Sequence, residues 1–312
     1  MRTTTIPLLT SKPVPVIGAG AMPLSNVRAD GTLMPRDEAI AVLHRAFDAG
    51  LRLVDTADIY APSAEQMGHN ESIVGEAVRT WSGGRDLVVV VTKIGITRTP
   101  GPPEHEWGRD GSRDYLLRAA EASVQQLGFE PDVIINHRVN REQQPYADTV
   151  RGMLAVREAG FTPAIGIGNI HLDEALTAWE VSEGTIAAVE NERSPRFRGD
   201  SDVFAWAIEH GVAFFPWSPF GGGSDAKNLP TAYPEFAAVA AELSESTGGP
   251  VTAHEVALAW LVAQGPTVVP IPGFTRAATV DSAAKAAYLE LTPEQVARLN
   301  ATPSTQDSVY PD

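Results

Sequence analysis

The chain has 312 residues, 43% hydrophobic and 20% charged, with a formal net charge of −15 and no cysteine. That content is enough for one large α/β barrel or two ordinary domains and excludes a disordered chain, while the lack of cysteine excludes disulfides and thiolate chemistry. The negative balance argues against a nucleic-acid partner, no apolar run nears the roughly 20 residues that span a bilayer, and no secretory signal pattern opens the chain, so the expectation is a cytoplasmic protein with small-molecule partners and no membrane partner.

In chain order, residues 4–9 and 14–17 read as strands around the turn-like Thr10-Ser11-Lys12-Pro13, an N-terminal β-hairpin. Residues 35–49 carry Ile40, Leu43, Ala46 and Phe47 on one helix face, and Gly50 stops them. Asn70 is the expected cap of a helix through Ile73, Val74 and Val78. Helices follow over 113–127, 146–159, 173–181, 202–209, 236–245, 253–264 and 279–287, and Thr292-Pro293-Glu294-Gln295 reads as a capping box. Between them, apolar runs end near residues 54, 91, 136, 167, 189, 215 and 270. This alternation predicts a (β/α)8 TIM barrel forming a single domain over 1–312. The barrel needs one strand more, and residues 18–22 are the best place for it, although their glycines are poor strand formers. Two long loops, 94–111 and 221–233, are expected at the C-terminal face of the barrel.

Polar residues recur at the ends of the runs. Leu53-Val54 ends in Asp55, Tyr60 follows five residues later, Lys93 closes the run 87–93, and His137 follows Val133-Ile134-Ile135-Asn136. In a parallel barrel the strand C-termini converge on one face, so the acid, phenol, amine and imidazole meet there. A phenol becomes a useful proton donor when an ammonium favours its phenolate, and Lys93 supplies that charge. Asp55 can orient Lys93, and His137 can hydrogen-bond a carbonyl oxygen at the same point. Together they suit carbonyl reduction, in which oxygen gains charge as hydride reaches carbon. No metal-type spacing of His and carboxylates is present. A Schiff-base aldolase using Lys93 and a non-catalytic cofactor-binding regulatory protein are the competing readings.

The segments VPVIGAGAM (14–22), VDTADIY (54–60), GHNESIVGEAV (68–78), VVVTK (89–93), NHRVN (136–140), IGIGNI (165–170), VENERS (189–194), FFPWSPFGGG (214–223), VALAWLVAQG (256–265) and VVPIPG (268–273) run in the order of the aldo-keto reductases. The chain resembles that family over nearly its whole length. The resemblance implies a barrel that binds an extended nicotinamide dinucleotide without a Rossmann domain, NADP(H) in preference to NAD(H). It implies that Asp55, Tyr60, Lys93 and His137 are the catalytic tetrad, with Tyr60 as general acid in reduction. By motif match, Trp217 stacks on the nicotinamide, and Asn169 and Glu190 hold its carboxamide. Ser218, Pro219, Phe220 and Gly221 approach the pyrophosphate. Gly273, Phe274, Thr275 and Arg276 surround the adenosine phosphate, with Arg276 gripping a 2′-phosphate. Met22, Leu24, Trp107 and Arg138 are expected to line the substrate pocket, and the lack of an apolar C-terminal tail predicts an open mouth. The chain departs from the family pattern at Gly168, commonly Ser, at Glu190, commonly Gln, at Arg193, where an aromatic is lost, and at Ser282 and Ala283, where many members carry Glu-Asn against adenine. A carboxylate accepts hydrogen bonds but donates only when protonated, so an ionised Glu190 would favour the oxidised, positively charged ring.

Overall fold

The computed structural model describes residues 1–100 and 106–310. Its centre is a curled parallel sheet of seven strands that lie side by side in chain order. The strands are β3 (Ala19–Gly20), β4 (Leu53–Asp55), β5 (Val89–Ile94), β8 (Val133–Asn136), β9 (Ala164–Gly168), β10 (Ile186–Glu190) and β11 (Ala213–Phe214). Residues 267–273 close the ring. Val268 bridges Phe214 of β11 on one side and Gly273 bridges Gly20 of β3 on the other. The amides of Gly18 and Gly20 donate to the carbonyls of Pro270 and Pro272 at 2.9 Å. The eighth position therefore falls where residues 18–22 suggested.

The glycines that weaken this stretch as a strand are what the seam requires. A Cβ on Gly20 would stand 2.7 Å from the Ile271 carbonyl oxygen, and one on Gly18 would stand 2.8 Å from a Leu53 methyl. They serve close backbone approach, not a phosphate loop.

The period of two along each strand sorts the core into layers. Leu53, Val89, Val91, Val133, Ile135 and Ala188 fill the barrel interior. Val54, Val88 and Val90 pack outward against the helix Arg36–Asp48 and the helix His69–Thr80. Ile134 and Ile165 do the same under the helices Arg113–Leu127 and Tyr146–Glu158. The interior parity carried one step further reaches Asp55, Lys93, His137 and Glu190.

Four expectations need correction. The hairpin exists as β1 (Thr3–Thr4) against β2 (Val14–Pro15), but residues 5–9 are not a strand. Pro7 lacks a ladder donor, the chain turns there, and the amides of Leu9 and Thr10 return to the Ile6 carbonyl. Ile6, Leu9 and Val14 then pack against the interior layer as a floor. Asn70 is not a cap. The helix starts at His69 behind Gly68, whose φ of 82° suits only glycine, and Asn70 is buried inside it. Loop 94–111 contains an antiparallel ribbon of β6 (Ile96–Arg98) and β7 (Trp107–Arg109), and residues 101–105 lie outside the described residues. Loop 221–233 contains the short helices Gly223–Ala226 and Leu229–Ala232. Among the described residues no helix is long and apolar enough to cross a membrane.

Candidate active site

Lys93 is the centre of the site, with its side chain 1% exposed. Its Nζ lies 2.7 Å from the Asp55 carboxylate, 2.9 Å from the Thr56 carbonyl oxygen, 3.1 Å from the Tyr60 hydroxyl and 3.2 Å from Glu190 Oε1. These partners come from β4, the turn after it and β10. Parity explains the strand-borne members. Tyr60 is placed differently: its amide returns to Ala57, and Gly68 and Asn70 donate to the carbonyls of Asp58 and Tyr60. The turn is also tied from outside, because Asn70 accepts from Thr56 Oγ1 at 2.7 Å and donates to the Ala21 carbonyl at 2.9 Å.

Charge at this point is set by burial and by neighbours. Burial works against the Lys93 ammonium, but Asp55 and Glu190 outweigh it, and Lys93 is held charged well above its ordinary range. Burial raises Tyr60, and Asp55 and Glu190 push it the same way, while Lys93 pulls against them. The net direction is upward, which corrects the expectation that Lys93 would leave the phenol easier to ionise. Tyr60 therefore rests as a protonated phenol. The His137 ring meets it edge-on at 5.8 Å. Burial first, then Lys93, holds that imidazole well below 6.5, so it is neutral at pH 7. Its Nδ1 is buried without a partner among the described residues. Burial and then Asp55 raise Glu190 to about 8.

Other sequence candidates gather beside this cluster. Asn169 takes a φ of 54°, donates through Nδ2 to the His137 carbonyl at 2.9 Å, and accepts from Trp217 Nε1 at 3.1 Å. Gly168 precedes it, and a Cβ there would crowd the carbonyl oxygens of His137, Asn136 and Glu190 at 3.0, 3.3 and 3.3 Å. Three converging strand ends thus favour the glycine that this chain carries there. Ser218 and Gly221 have φ of 47° and 87°, and the Gly221 amide closes onto the Ser218 carbonyl at 2.8 Å. Pro219 is buried and Phe220 half-buried, the latter edge-on to His254. Gly273 lies in the closing seam, and Phe274 is buried in the outer layer. Thr275 and Arg276 are exposed, and Arg276 is the residue from which the helix Ala277–Ala286 starts. Ser282 is engaged by Glu255 at 2.9 Å.

The four pocket candidates do not converge. Leu24 is 1% exposed and packs into the outer layer, because its short 3-10 turn aims it away from the mouth. Met22, in the same turn, is half-buried. Trp107 is 53% exposed on the ribbon, with the Arg98 guanidinium 4.7 Å over its ring. Arg98 donates to the Ala61 carbonyl at 2.6 Å and so ties the ribbon to the Tyr60 turn. Arg138 donates to the Tyr310 carbonyl at 2.8 Å.

That last contact belongs to a feature absent from the sequence reading. Thr305 bridges Phe197, Glu192 accepts from Ser308 Oγ at 2.6 Å and from the Val309 amide at 3.0 Å, and the Tyr310 ring lies 5.8 Å from that of Trp217. Residues 305–310 therefore cross one side of the mouth, which is not open as expected. A cavity of about 260 Å³ beside them is lined by Arg138, alone of the four pocket candidates, with Asn169, Glu192, Trp217 and Tyr310, but by none of the four tetrad positions. The polarity of the tail hid it; Tyr310, a lone aromatic, was the available signal. Among the described residues no group of His and carboxylates is placed to hold a metal.

A closed eight-membered barrel with an acid, a phenol, an amine and an imidazole at the carboxyl ends of its strands defines a class of barrel oxidoreductase. Residues 16–302 match the model of the Aldo/keto reductase family, and the chain belongs to that family. It is 28% identical over 298 residues to pyridoxine 4-dehydrogenase of Escherichia coli, covering 94% of this chain and 96% of that protein. It is 29% identical over 286 residues to a probable aldo-keto reductase 1 of Glycine max, covering 85% and 78%. A crystal structure of an aldo-keto reductase from Klebsiella pneumoniae in complex with NADPH superposes with a TM-score of 0.77 at 24% identity, covering 100% of this chain and 99% of that one.

Proposed function

We propose that the protein interconverts an aldehyde or ketone, including cyclic or sugar-like ones, and the matching alcohol, exchanging hydride with NADP(H) in preference to NAD(H). The observation that carries this reading is the 3.1 Å contact between the Lys93 amine and the Tyr60 hydroxyl inside a buried, carboxylate-braced cluster. The cofactor supplies hydride. Tyr60, a protonated phenol, gives its proton to the oxygen as charge develops there. Lys93 stabilises the phenolate left behind. Asp55 and the Thr56 carbonyl hold the amine in place, and neutral His137 can donate a ring N–H toward the same oxygen. In oxidation the phenolate takes the proton back.

The residues around the cluster fit a nicotinamide dinucleotide. Glu190 Oε2 is a buried acceptor without a donor among the described residues, as the carboxamide amine would require. Trp217 is held by Asn169, whose amide donates to the Glu190 carbonyl. The helix Ala277–Ala286 presents its positive end and Arg276 to a phosphate. The name of the Escherichia coli relative and the NADPH complex of the Klebsiella protein support the same assignment. The aldolase reading is less well supported, because a Schiff-base lysine must be neutral to attack and Lys93 is held as an ammonium. Nicotinamide absorbance followed across a panel of aldehydes, ketones and alcohols tests the assignment. Turnover of NADPH with some carbonyls is expected. A covalent Lys93 adduct trapped by borohydride, with no nicotinamide turnover on any panel member, would replace it with the aldolase.

A further inference from the structure

Three hydrogens of a buried ammonium face four oxygens at Lys93: Asp55, Thr56, Tyr60 and Glu190. Two of the four belong to carboxyl groups, each side chain 4% exposed. One ammonium neutralises one carboxylate, and a second buried negative charge with no partner of its own is costly. Lys93 sits closer to Asp55, at 2.7 Å against 3.2 Å for Glu190, so Asp55 has the stronger claim on the ammonium. Glu190 is then the member that keeps a proton. Its other oxygen, Oε2, is buried and has no donor among the described residues; its carboxyl meets that of Asp55, and its backbone carbonyl accepts from the amide of Asn169, which holds Trp217.

We propose that Glu190 is a redox-linked proton carrier for the cofactor: neutral when the nicotinamide ring is reduced, and ionised when the ring is oxidised and positively charged. This rests on the assignment of a nicotinamide cofactor to this mouth. Protonated Glu190 shares its hydrogen with the Asp55 carboxylate and is uncharged beside a neutral ring, whereas ionised Glu190 would accept from the carboxamide amine while facing the cationic ring. The balance is simple. Binding of the oxidised nucleotide breaks the Glu190 O–H bond and sends one proton to solvent, and binding of the reduced nucleotide moves none.

The groups able to compete are few. Asp55 and Lys93 face Glu190 directly; Tyr60 and His137 lie beyond Lys93. The flanking strands contribute Gly168 from β9 and Ala213–Phe214 from β11, which do not titrate. Glu192 is occupied by Ser308 and Val309. His137 stays neutral and Tyr60 stays protonated across the neutral range, whereas Glu190 changes state near 8.

Dissociation constants of NADP⁺ and NADPH measured from about pH 6 to about pH 9 test the proposal by binding alone. Titration of the 2′-phosphate affects both nucleotides alike and cancels in their ratio. In the wild type the preference for NADP⁺ over NADPH should rise with pH by up to about tenfold per unit and level off above about 8. In Glu190→Gln the ratio should be flat. A flat ratio in the wild type, or the same slope in Glu190→Gln, overturns the proposal. Should neither nucleotide bind the wild type at any pH, the cofactor assignment itself fails. If Glu190→Gln does not fold, calorimetry of the wild type at pH 7 in buffers of different ionisation heat decides. Nearly one more proton released with NADP⁺ than with NADPH is expected, and equal release from the two contradicts it.

Discussion

At Lys93 an amine that would be solvated on most strand ends is surrounded by oxygen on every donating side. The arrangement makes Tyr60 a hydrogen-bond partner of Lys93 without making it a free phenolate, so the acid role proposed for it depends on proton transfer during the reaction. Tyr60→Phe should lower kcat by about 10² to 10⁴ while leaving nucleotide affinity within about threefold, which steady-state kinetics and a fluorescence titration of the bound nucleotide would separate. The identity of this residue was legible from Asp55, Tyr60, Lys93 and His137 at the ends of apolar runs, because strand parity is written in the sequence. Its charge state was not. That depends on how completely the cluster is buried and on Glu190, which β10 brings across from a distant part of the chain. Leu24 was misread for a related reason: a 3-10 turn has no period from which a facing direction follows.

The secondary-structure elements transmit their own constraints to the mouth. The closing seam depends on Gly20, and Gly20→Ala would force a Cβ to 2.7 Å from a backbone carbonyl. We expect a loss of about 1–3 kcal/mol in denaturant unfolding, against a near-neutral result if the seam can relax. On the helix His69–Thr80, Glu71 is 1% exposed and accepts from Thr92 Oγ1 at 2.5 Å. Burial raises it from 4.5 to about 7, the Thr92 hydrogen bond pulling the other way. The folded state thus retains a proton that the unfolded chain gives up sooner, so stability present below about 4.5 is lost as pH rises through about 7. Glu71→Gln should remove that part of the decline between pH 5 and pH 8, read as unfolding midpoints in wild type and variant. At the helix Ala277–Ala286, Arg276→Ala should weaken NADPH by about tenfold or more and leave NADH little changed; equal loss of both would place Arg276 on a group the two nucleotides share, and loss of neither would leave it on the surface alone. Helices with strong periodicity and glycine stops, such as Arg113–Leu127 before Gly128, could be read to within a residue. The β6–β7 ribbon could not, since Gly, Pro and charge dominate its composition and its pairing is not local to either strand.

The whole molecule is a barrel sealed at one end and partly covered at the other. The floor is Ile6, Leu9 and Val14 from the N-terminal turn, and Ile6→Ala should cost about 2–5 kcal/mol by opening a void against the interior layer. The cover is residues 305–310, latched by Glu192 and reaching Trp217 through Tyr310. Contacts of this kind join residues more than a hundred positions apart, which is why neither was legible from local pattern, while the barrel itself was legible from its repeated alternation. The central claim concerns what this closed architecture delivers at Tyr60. Transfer of deuterium from NADPH labelled at the reactive ring carbon, with a reducible aldehyde, tests it directly. Label is expected on the product carbinol carbon in the wild type, with a fall of about 10² or more in that rate in Tyr60→Phe and nucleotide affinity kept. An unlabelled alcohol, or label transferred at an undiminished rate by Tyr60→Phe, would contradict it.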